Sequence, residues 1–399
     1  MKIYFITCYY PVPDSGGDLY RDLMVELVSR GHEVHVFRPD ETRYTGAPTT
    51  LQQTGVSVTS IPTGTIRSTN PVQKILNTML FEHRLASETR RQADTTPPDL
   101  VIFATPPIHT VTAVRQVKEK TKCVTYLLLK DIFPANGADL GMFPRRGLLW
   151  NYFRNKEAKL YQVADFIGCM SQANKNYLEK HNPWIDSKSI EICPNSISPT
   201  PVHLVPPKDP DILRRMDIPK VSLNLIYGGN LGKPQGIDFL QAALEATRQD
   251  PDIHFTVVGA GTEFHKLRTF KETSGHPFRL IERLHKQEYH TLLAAMDAGL
   301  ILPDRRFTIP NFPSRLLDYL DYSLPVLAAT DVNTDVGTFL QEEGCGFWCE
   351  SGDLQGFRGH LNTLKDPVLR QHMGLKARDA LETHFTVKRS ADIILAHMK

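Results

Sequence analysis

The residues best placed to do chemistry lie in one short stretch, where a proline-rich loop runs into a predicted helix. The loop covers residues 303–313 and delivers Ser314 as the expected N-cap, with Arg315 in the first turn and Asp318 about one turn further on. Free backbone N–H groups, the positive end of the helix dipole and a guanidinium would converge there, which favours phosphate groups. A carboxylate one turn deeper could accept hydrogen bonds from ribose hydroxyls. The stretch therefore predicts a nucleoside-diphosphate site.

Glycine-rich turns follow predicted strands elsewhere in the chain. The first contains Gly16 and Gly17, and a longer run at 227–236 contains Gly229, Asn230 and Lys233. Glycines let the backbone approach a ligand closely, and donors at a helix start would face that ligand. Lys233 is a candidate for binding the distal phosphate, with an exposed loop lysine as the alternative. The run lacks the Lys-Ser/Thr ending of a Walker loop, which argues against ATP hydrolysis.

A third turn, at 258–263, contains Gly259, Gly261 and Glu263. The Gly-x-Gly pattern alone is weak evidence, because the third glycine of a dinucleotide fingerprint is missing. Its place after a predicted strand puts it at the same sheet edge as Lys233 and Ser314. We expect this turn to help frame a nucleotide.

Asp131 follows an apolar run at 124–129, which places it at the carboxyl end of a central predicted strand. Ligand contacts in open parallel sheets usually lie at such strand ends. Asp131 is therefore a candidate catalytic carboxylate, and a turn or N-cap aspartate is the alternative interpretation.

The segment 143–161 combines aromatic residues with a basic face. An interfacial helix resting on an anionic membrane has this composition, and so does a core helix with solvated lysines. We expect the segment to contact an anionic membrane surface.

No metal site is predicted. The Asp-Pro-Asp sequences at 209–211 and 250–252 imitate metal-binding motifs, but both fall in proline turns away from strand ends. Cys345 and Cys349 lie four residues apart without a second ligand pair. The six cysteines are scattered, which is typical of buried thiols in a reducing compartment.

Composition limits the function further. A chain of 399 residues exceeds the size of one core, so two domains are expected. The net charge of +2 argues against a nucleic-acid partner held by bulk electrostatics. The N-terminal residues lack the apolar core of a signal peptide, and no apolar run approaches the ~20 residues that cross a bilayer. We therefore expect a cytoplasmic protein.

Apolar strands alternate with amphipathic helices along both halves of the chain, which predicts an α/β fold of two doubly wound, Rossmann-like domains. A proline-dense passage near 199–210 is the expected linker. The predicted boundaries are an acceptor-binding domain at 1–200 and a nucleotide-sugar-binding domain at 201–384. A final helical segment, 385–399, is expected to pack back on the N-terminal domain.

The order and spacing of these motifs resemble the retaining glycosyltransferases of family 4, which have the GT-B architecture of two Rossmann-like domains facing across a cleft. The segments that carry the resemblance are Tyr9-Tyr10-Pro11 with Gly16-Gly17, Arg30-Gly31-His32-Glu33-Val34, Pro194-Asn195-Ser196-Ile197, the loop 228–236, and Leu316-Leu317-Asp318 leading to Leu324-Pro325-Val326. The phrase Asp131-Ile132-Phe133-Pro134 is similar to a subgroup that builds bacterial surface polysaccharides, lipopolysaccharide among them.

The chain also departs from this family. Family members typically carry two glutamates eight residues apart where this chain has Pro310 and Asp318. They typically carry an arginine and a lysine where it has Asn230 and Gln235. Lys233 and Arg315 would then supply the missing positive charge.

The resemblance implies transfer of a sugar from a nucleoside-diphosphate donor to a glycan or polyprenyl-linked acceptor, with retention and without a metal or other cofactor. The groups that would stabilise the departing diphosphate are Gly16, Gly17, Lys233, Ser314 and Arg315. Asp318 would hold the ribose, and Asp131 would orient or deprotonate the acceptor. One alternative is a GT-B UDP-sugar epimerase, which would need more carboxylates than Asp131. A two-domain binding protein is a third hypothesis.

Overall fold

The structure is a computed structural model that describes residues 1–11, 18–66, 71–205 and 210–398. The chain divides into two compact units. The N-terminal unit comprises Met1–Ser198 together with Val387–Lys399, and the C-terminal unit comprises Pro199–Thr386. The boundaries expected from the sequence, after 200 and after 384, differ from these by two residues at each junction.

The N-terminal unit is built on one eight-stranded sheet. Its strands are β1 (Lys2–Ile6), β2 (Glu33–Asp40), β3 (Thr49–Gln53), β4 (Val56–Pro62), β5 (Leu100–Ala104), β6 (Val124–Leu129), β7 (Phe166–Cys169) and β8 (Ile190–Ile192). Their spatial order is β3-β4-β2-β1-β5-β6-β7-β8, and every neighbouring pair is parallel except β3 and β4. The central strands are apolar and buried along their length because helices cover both faces of a parallel sheet.

Helices connect these strands. They are α1 (Leu19–Ser29), α2 (Pro71–Thr95), α3 (Val111–Thr121), α4 (Ala135–Asp139), α5 (Leu148–Val163) and α6 (Gln172–His181). Local chemistry sets the ends of α1: the Asp18 carboxylate accepts a hydrogen bond from the backbone N–H of Tyr20, and Gly31 follows the helix with a φ of +82°.

The C-terminal unit contains a six-stranded parallel sheet. Its strands are β9 (Leu223–Gly228), β10 (Ile253–Val258), β11 (Arg279–Ile281), β12 (Ala298–Ile301), β13 (Val326–Thr330) and β14 (Gly346–Glu350), in the order β11-β10-β9-β12-β13-β14. The helices are α7 (Pro210–Arg215), α8 (Ile237–Thr247), α9 (Phe264–Ser274), α10 (Lys286–Ala295), α11 (Arg315–Asp321), α12 (Val336–Glu342), α13 (Leu354–Thr363) and α14 (Pro367–His384). The carboxyl ends of β9, β10 and β12 therefore share one sheet edge.

The last helix, α15 (Val387–Leu395), belongs to the N-terminal unit and packs on α1. Ala391 and Ile394 are fully buried in the core of that unit. The Arg30 guanidinium donates to Asp392 at 2.6 Å, which joins the end of α1 to α15. In the described part of the chain, no helix is both long enough and apolar enough to span a bilayer.

Candidate functional site

Arg315 is held by the turn that follows β9. Its Nη2 donates to Gln235 Oε1 at 2.9 Å and to the carbonyl oxygen of Asn230 at 3.4 Å. The guanidinium carbon lies 4.4 Å from the centre of the Tyr227 ring, within range of a cation–π interaction. The Tyr227 hydroxyl donates to the same Gln235 oxygen at 2.7 Å. The arginine of α11 and the glycine-rich turn thus form one site.

The positive charge of Arg315 has no carboxylate partner within the described ranges. Its Nη1 is buried and makes no hydrogen bond to any described residue. The ionisable groups that act on it are the phenols of Tyr227, Tyr319 and Tyr289. An unsatisfied buried donor costs about 1–3 kcal/mol, and more when it is charged. A bound anion would remove that cost through a charge-assisted hydrogen bond.

Two glycines bring the turn close to these side chains. The hydroxyl of Tyr289 lies 2.0 Å from the position that a Cβ at Gly228 would occupy. A Cβ at Gly229 would lie 3.5 Å from Arg315 Nη2, and Gly229 has a φ of +116°, which other residues rarely adopt. Gly229 is itself exposed, so the surface beside the guanidinium is open to a ligand.

Gly259 and Gly261 have a packing role that the sequence did not reveal. A Cβ at Gly259 would lie 1.8 Å from the Gly229 carbonyl oxygen, and a Cβ at Gly261 would lie 2.4 Å from the Leu231 carbonyl. The backbone N–H of Leu231 donates to Ala260 O at 2.9 Å. These two glycines therefore let the second turn support the Arg315 turn, and contact with a nucleotide stays a prediction for both.

Glu263 has a local partner for its carboxylate. Its Oε2 lies 2.5 Å from Lys266 Nζ, and its backbone N–H donates to Leu231 O. The Glu263 carboxylate would have to leave or share this ion pair to contact a nucleotide-sugar donor.

The start of α11 differs from the expected anion site. Ser314 is at the N-cap position, as predicted, but its backbone is helical and its side chain makes no capping hydrogen bond. The backbone N–H groups of Leu316 and Leu317 donate to Pro313 O and Ser314 O. The expectation of free N–H groups is therefore wrong for Leu316 and Leu317, because a tight turn uses them, and it stays a prediction for Ser314 and Arg315. The positive charge comes from the Arg315 side chain.

The other two residues predicted to bind the donor in this region are Lys233 and Asp318. Lys233 is exposed and has no hydrogen-bond or ion-pair partner among the residues that the structure describes. Asp318 is half-buried in the first turn of α11. Burial raises the pKa of Tyr289, and the charge of Asp318 adds to that rise.

Asp131 lies just beyond β6 in the N-terminal unit. Its backbone N–H donates to Thr105 Oγ1 at 3.2 Å, while its carboxylate has no partner among the described residues. Burial raises the pKa of Asp131 from 3.8 to about 6. A carboxylate that titrates near neutral pH and is not engaged elsewhere suits a general base. Gly16 and Gly17 lie outside the described residues.

Lys130 is a candidate that the sequence analysis missed. Its Nζ donates to Cys193 O at 3.3 Å, and burial lowers the pKa of Lys130 to about 8. Tyr20, Asn195 and Ser196 line a cavity of about 10 Å³ with it, which is room for one water molecule. The sequence offered one signal for Lys130, because this lysine directly follows the apolar run that forms β6.

The motifs that imitate metal sites have other contacts. Asp250 accepts a hydrogen bond from Lys365 at 2.7 Å, and Cys345 and Cys349 are free thiols. Asp209 lies outside the described residues. No group of three or more potential metal ligands occurs in residues 1–11, 18–66, 71–205 and 210–398.

Exposed apolar side chains cover part of the N-terminal unit. In α5, Leu148, Leu149 and Tyr152 are 91%, 51% and 44% exposed, whereas the buried residues of the helix all lie in its second half. In α2, Ile75 and Met79 are 56% and 55% exposed. We call these five residues the α2–α5 apolar surface.

Comparison with known proteins agrees with this architecture. Residues 19–200 match the family model described as Glycosyltransferase Family 4, and residues 222–366 match the model described as Glycosyl transferases group 1. A probable glycosyltransferase of Pseudomonas aeruginosa, WbjE, is 22% identical over 284 residues, which is 70% of this chain and 68% of WbjE.

Solved structures show the same fold over the whole chain. WaaG, a glycosyltransferase involved in lipopolysaccharide biosynthesis, has a TM-score of 0.65 at 17% identity, covering 99% of each chain. Anabaena HepE, solved in complex with UDP-glucose, has a TM-score of 0.71 at 15% identity, covering 100% of this chain and 99% of HepE. The chain is therefore a glycosyltransferase with the GT-B fold, in which residues 19–200 match Glycosyltransferase Family 4 and residues 222–366 match the group 1 glycosyl transferases.

Proposed function

We propose that this glycosyltransferase transfers a sugar from a nucleoside-diphosphate donor to a glycan or polyprenyl-linked acceptor during synthesis of a surface polysaccharide. The observation that carries the proposal is the Arg315 guanidinium, which is buried at Nη1 and has no carboxylate partner in the described ranges. HepE, with the same fold, was solved with UDP-glucose, and the role of WaaG in lipopolysaccharide synthesis supports the acceptor class.

In this proposal the chemistry depends on charge at the leaving group. Cleavage of the sugar–phosphate bond leaves negative charge on the diphosphate, and a preorganised guanidinium stabilises that charge more in the transition state than in the ground state. Lys233 adds a second cation at the loop, and Asp318 binds the ribose. The reaction proceeds with retention and without a metal ion.

Asp131 acts on the acceptor in the proposed mechanism. Because burial raises the pKa of Asp131 to about 6, the carboxylate is ionised at neutral pH and can accept a proton from an acceptor hydroxyl. Turnover should then rise as the pH increases through about 6.

The first experiment is a screen of UDP-, GDP- and dTDP-sugars for donor hydrolysis and transfer, in the presence of EDTA. We expect one nucleotide class to be consumed with EDTA present. Arg315→Ala should lower kcat about 10²–10³-fold, the loss typical of removing one transition-state donor. Arg358→Ala, an exposed arginine on α13, is the matched control. Equal turnover of Arg315→Ala and wild type would refute the assignment.

The comparisons give no support to the epimerase alternative. If the enzyme were an epimerase, incubation with the donor alone would yield an epimerised nucleotide sugar, so the same screen tests this alternative. Hydrolysis or transfer without any epimer is the result that we expect.

We also propose that the enzyme works on the cytoplasmic face of the plasma membrane, bound through the α2–α5 apolar surface. Lys156 of α5 forms an ion pair with Glu82 of α2, so the two helices are in contact. Ile75 and Met79 lie two turns and one turn before Glu82, and Tyr152 lies one turn before Lys156. Each set therefore shares the side of its helix that carries the ion pair.

Topology places the two sets at the same end of the sheet. Helices α2 and α5 both return to the start of the next parallel strand, so their N-terminal halves lie at the edge where the strands end. Exposed Lys74 and Arg146 flank the apolar side chains in sequence. Apolar side chains flanked by cations are typical of a surface that binds anionic lipid.

Vesicle co-sedimentation tests this surface. Wild type should bind vesicles that contain phosphatidylglycerol more strongly than pure phosphatidylcholine vesicles, and the double variant Leu148→Ser/Leu149→Ser should bind less. Leu375→Ser removes a leucine that is 61% exposed on α14 and serves as the matched control. Absence of wild-type binding, or equal binding by the double variant, would remove the proposal.

A further inference from the structure

Gln235 is the residue that fixes the position of the Arg315 guanidinium. Its Oε1 accepts hydrogen bonds from Arg315 Nη2 at 2.9 Å and from the Tyr227 hydroxyl at 2.7 Å. Its backbone is also anchored, because its N–H donates to Gly232 O at 3.0 Å and it forms a β-bridge with Pro303. The amide is thus set by the glycine-rich turn and not by the arginine.

Tyr227 fixes the guanidinium from a second direction. Its side chain is 1% exposed, and its ring lies beneath the Arg315 guanidinium carbon. A buried aromatic ring at the end of β9 has little rotational freedom, so its hydroxyl keeps Gln235 in one rotamer. Gln235 and Tyr227 together leave Arg315 little freedom to move.

Both contacts hold the guanidinium without cancelling its charge. An amide oxygen, a phenol and an aromatic ring are neutral, whereas a glutamate at position 235 would have the same size and would form an ion pair with Arg315. Because Oε1 has two donors, the Nε2 of Gln235 faces away from them, and it makes no hydrogen bond to a described residue. The amide therefore adds a neutral donor beside the uncompensated cation.

We propose that Gln235 and Tyr227 are positioning residues that hold Arg315 with its positive charge uncompensated, so that the site binds nucleoside diphosphates in preference to monophosphates. The inference rests on the proposed function, because it assigns the terminal phosphate of the donor to Arg315. It extends that function by assigning the preference for diphosphates over monophosphates to the neutral side chain of Gln235.

Gln235→Glu is the direct test, since it changes one amide to a carboxylate of equal size. Isothermal titration calorimetry would measure the Kd of UDP, GDP and dTDP, each beside its nucleoside monophosphate, at pH 8. Wild type should prefer one diphosphate to its monophosphate at least tenfold. Gln235→Glu should weaken diphosphate binding about 10–100-fold, with monophosphate binding changed less than about threefold.

The melting temperature separates charge from misfolding. The ion pair with Arg315 lowers the pKa of the new carboxyl group and keeps it ionised, so Gln235→Glu should bind the diphosphate less well while its melting temperature stays at or above that of wild type, whereas a structural defect would lower both. Tyr227→Phe keeps the ring and removes the bond to Gln235, and it should raise KM for the donor several-fold while the melting temperature changes little. It also tests the inference if Gln235→Glu does not fold.

The outcomes distinguish this inference from the proposed function. If wild type binds none of the three diphosphates, the proposed function fails and this inference fails with it. If wild type binds a diphosphate and both Gln235→Glu and Tyr227→Phe bind it equally well, the proposed function stands and only the positioning role of Gln235 and Tyr227 is overturned.

Discussion

Replacing Asp131 with asparagine should stabilise the protein while it removes turnover. The Asp131 carboxylate is half-buried and has no partner among the described residues, and its burial raises the pKa from 3.8 to about 6. One pKa unit corresponds to about 1.4 kcal/mol, so a shift of about two units costs the native state up to about 3 kcal/mol when the group is ionised. Asparagine carries no charge and avoids this cost.

The sign of the pH dependence follows from the direction of the shift. A raised native pKa means that the native state binds the proton more tightly than the unfolded state, so the penalty is complete above about pH 6 and disappears below about pH 4. The stability gain of Asp131→Asn should be up to about 3 kcal/mol at pH 7.5, about half of that at pH 5, and near zero at pH 3.5.

Urea unfolding measures this difference in the N-terminal unit. Trp150 and Trp184 lie in that unit and Trp348 lies in the other, so fluorescence in a Trp348→Phe background reports on the unit that contains Asp131. Glu119→Gln, an exposed residue of α3, is the control and should change stability by less than about 0.5 kcal/mol. A destabilised Asp131→Asn variant, or a stability gain independent of pH, would show that the ionised Asp131 carboxylate does not destabilise the native state.

Three further perturbations test other parts of the molecule. Lys130→Met should be more stable than wild type at pH 7, because burial of the charged lysine, which lowers its pKa, destabilises the native state. The difference in the free energy of unfolding should shrink as the pH rises through about 8. A difference that does not change in urea titrations between pH 7 and pH 10 would contradict this. Gly261→Ala should weaken donor binding without unfolding the protein, because its Cβ would displace the Leu231 carbonyl at 2.4 Å and with it the Arg315 turn; an unchanged KM would oppose this. Arg378→Met should lower the free energy of unfolding by about 3–5 kcal/mol, because it leaves the buried Asp321 carboxylate without its 2.8 Å partner. The double variant Arg378→Met/Asp321→Asn should recover part of that loss in the same denaturation assay, and no recovery would argue against a charge effect.

Sequence pattern predicted the two parallel-sheet domains because their strands are apolar on both faces. The apolar run at 124–129 forms β6, and five of its six residues are buried. Strand β3 was missed, since four of its five residues are exposed and it pairs with β4 at the sheet edge. An edge strand has no burial signal that a pattern can detect.

The candidate site was predictable in residue type and not in its contacts. Arg315 was identified from its place after a proline-rich loop, but its contact with Gln235 joins residues 80 positions apart. Helix α11 begins at Arg315, yet the N–H groups of Leu316 and Leu317 are used within a tight turn, which depends on the local backbone. The buried polar contacts of Tyr227 and Lys130 likewise arise only when the sheets assemble.

A crystal structure of the enzyme with the nucleoside diphosphate that the donor screen selects would show whether Arg315 binds the leaving group. We expect a terminal phosphate oxygen within about 3 Å of Arg315 Nη1, with Nη2 still bonded to Gln235. A diphosphate bound elsewhere, with Nη1 still lacking a partner, would contradict this expectation.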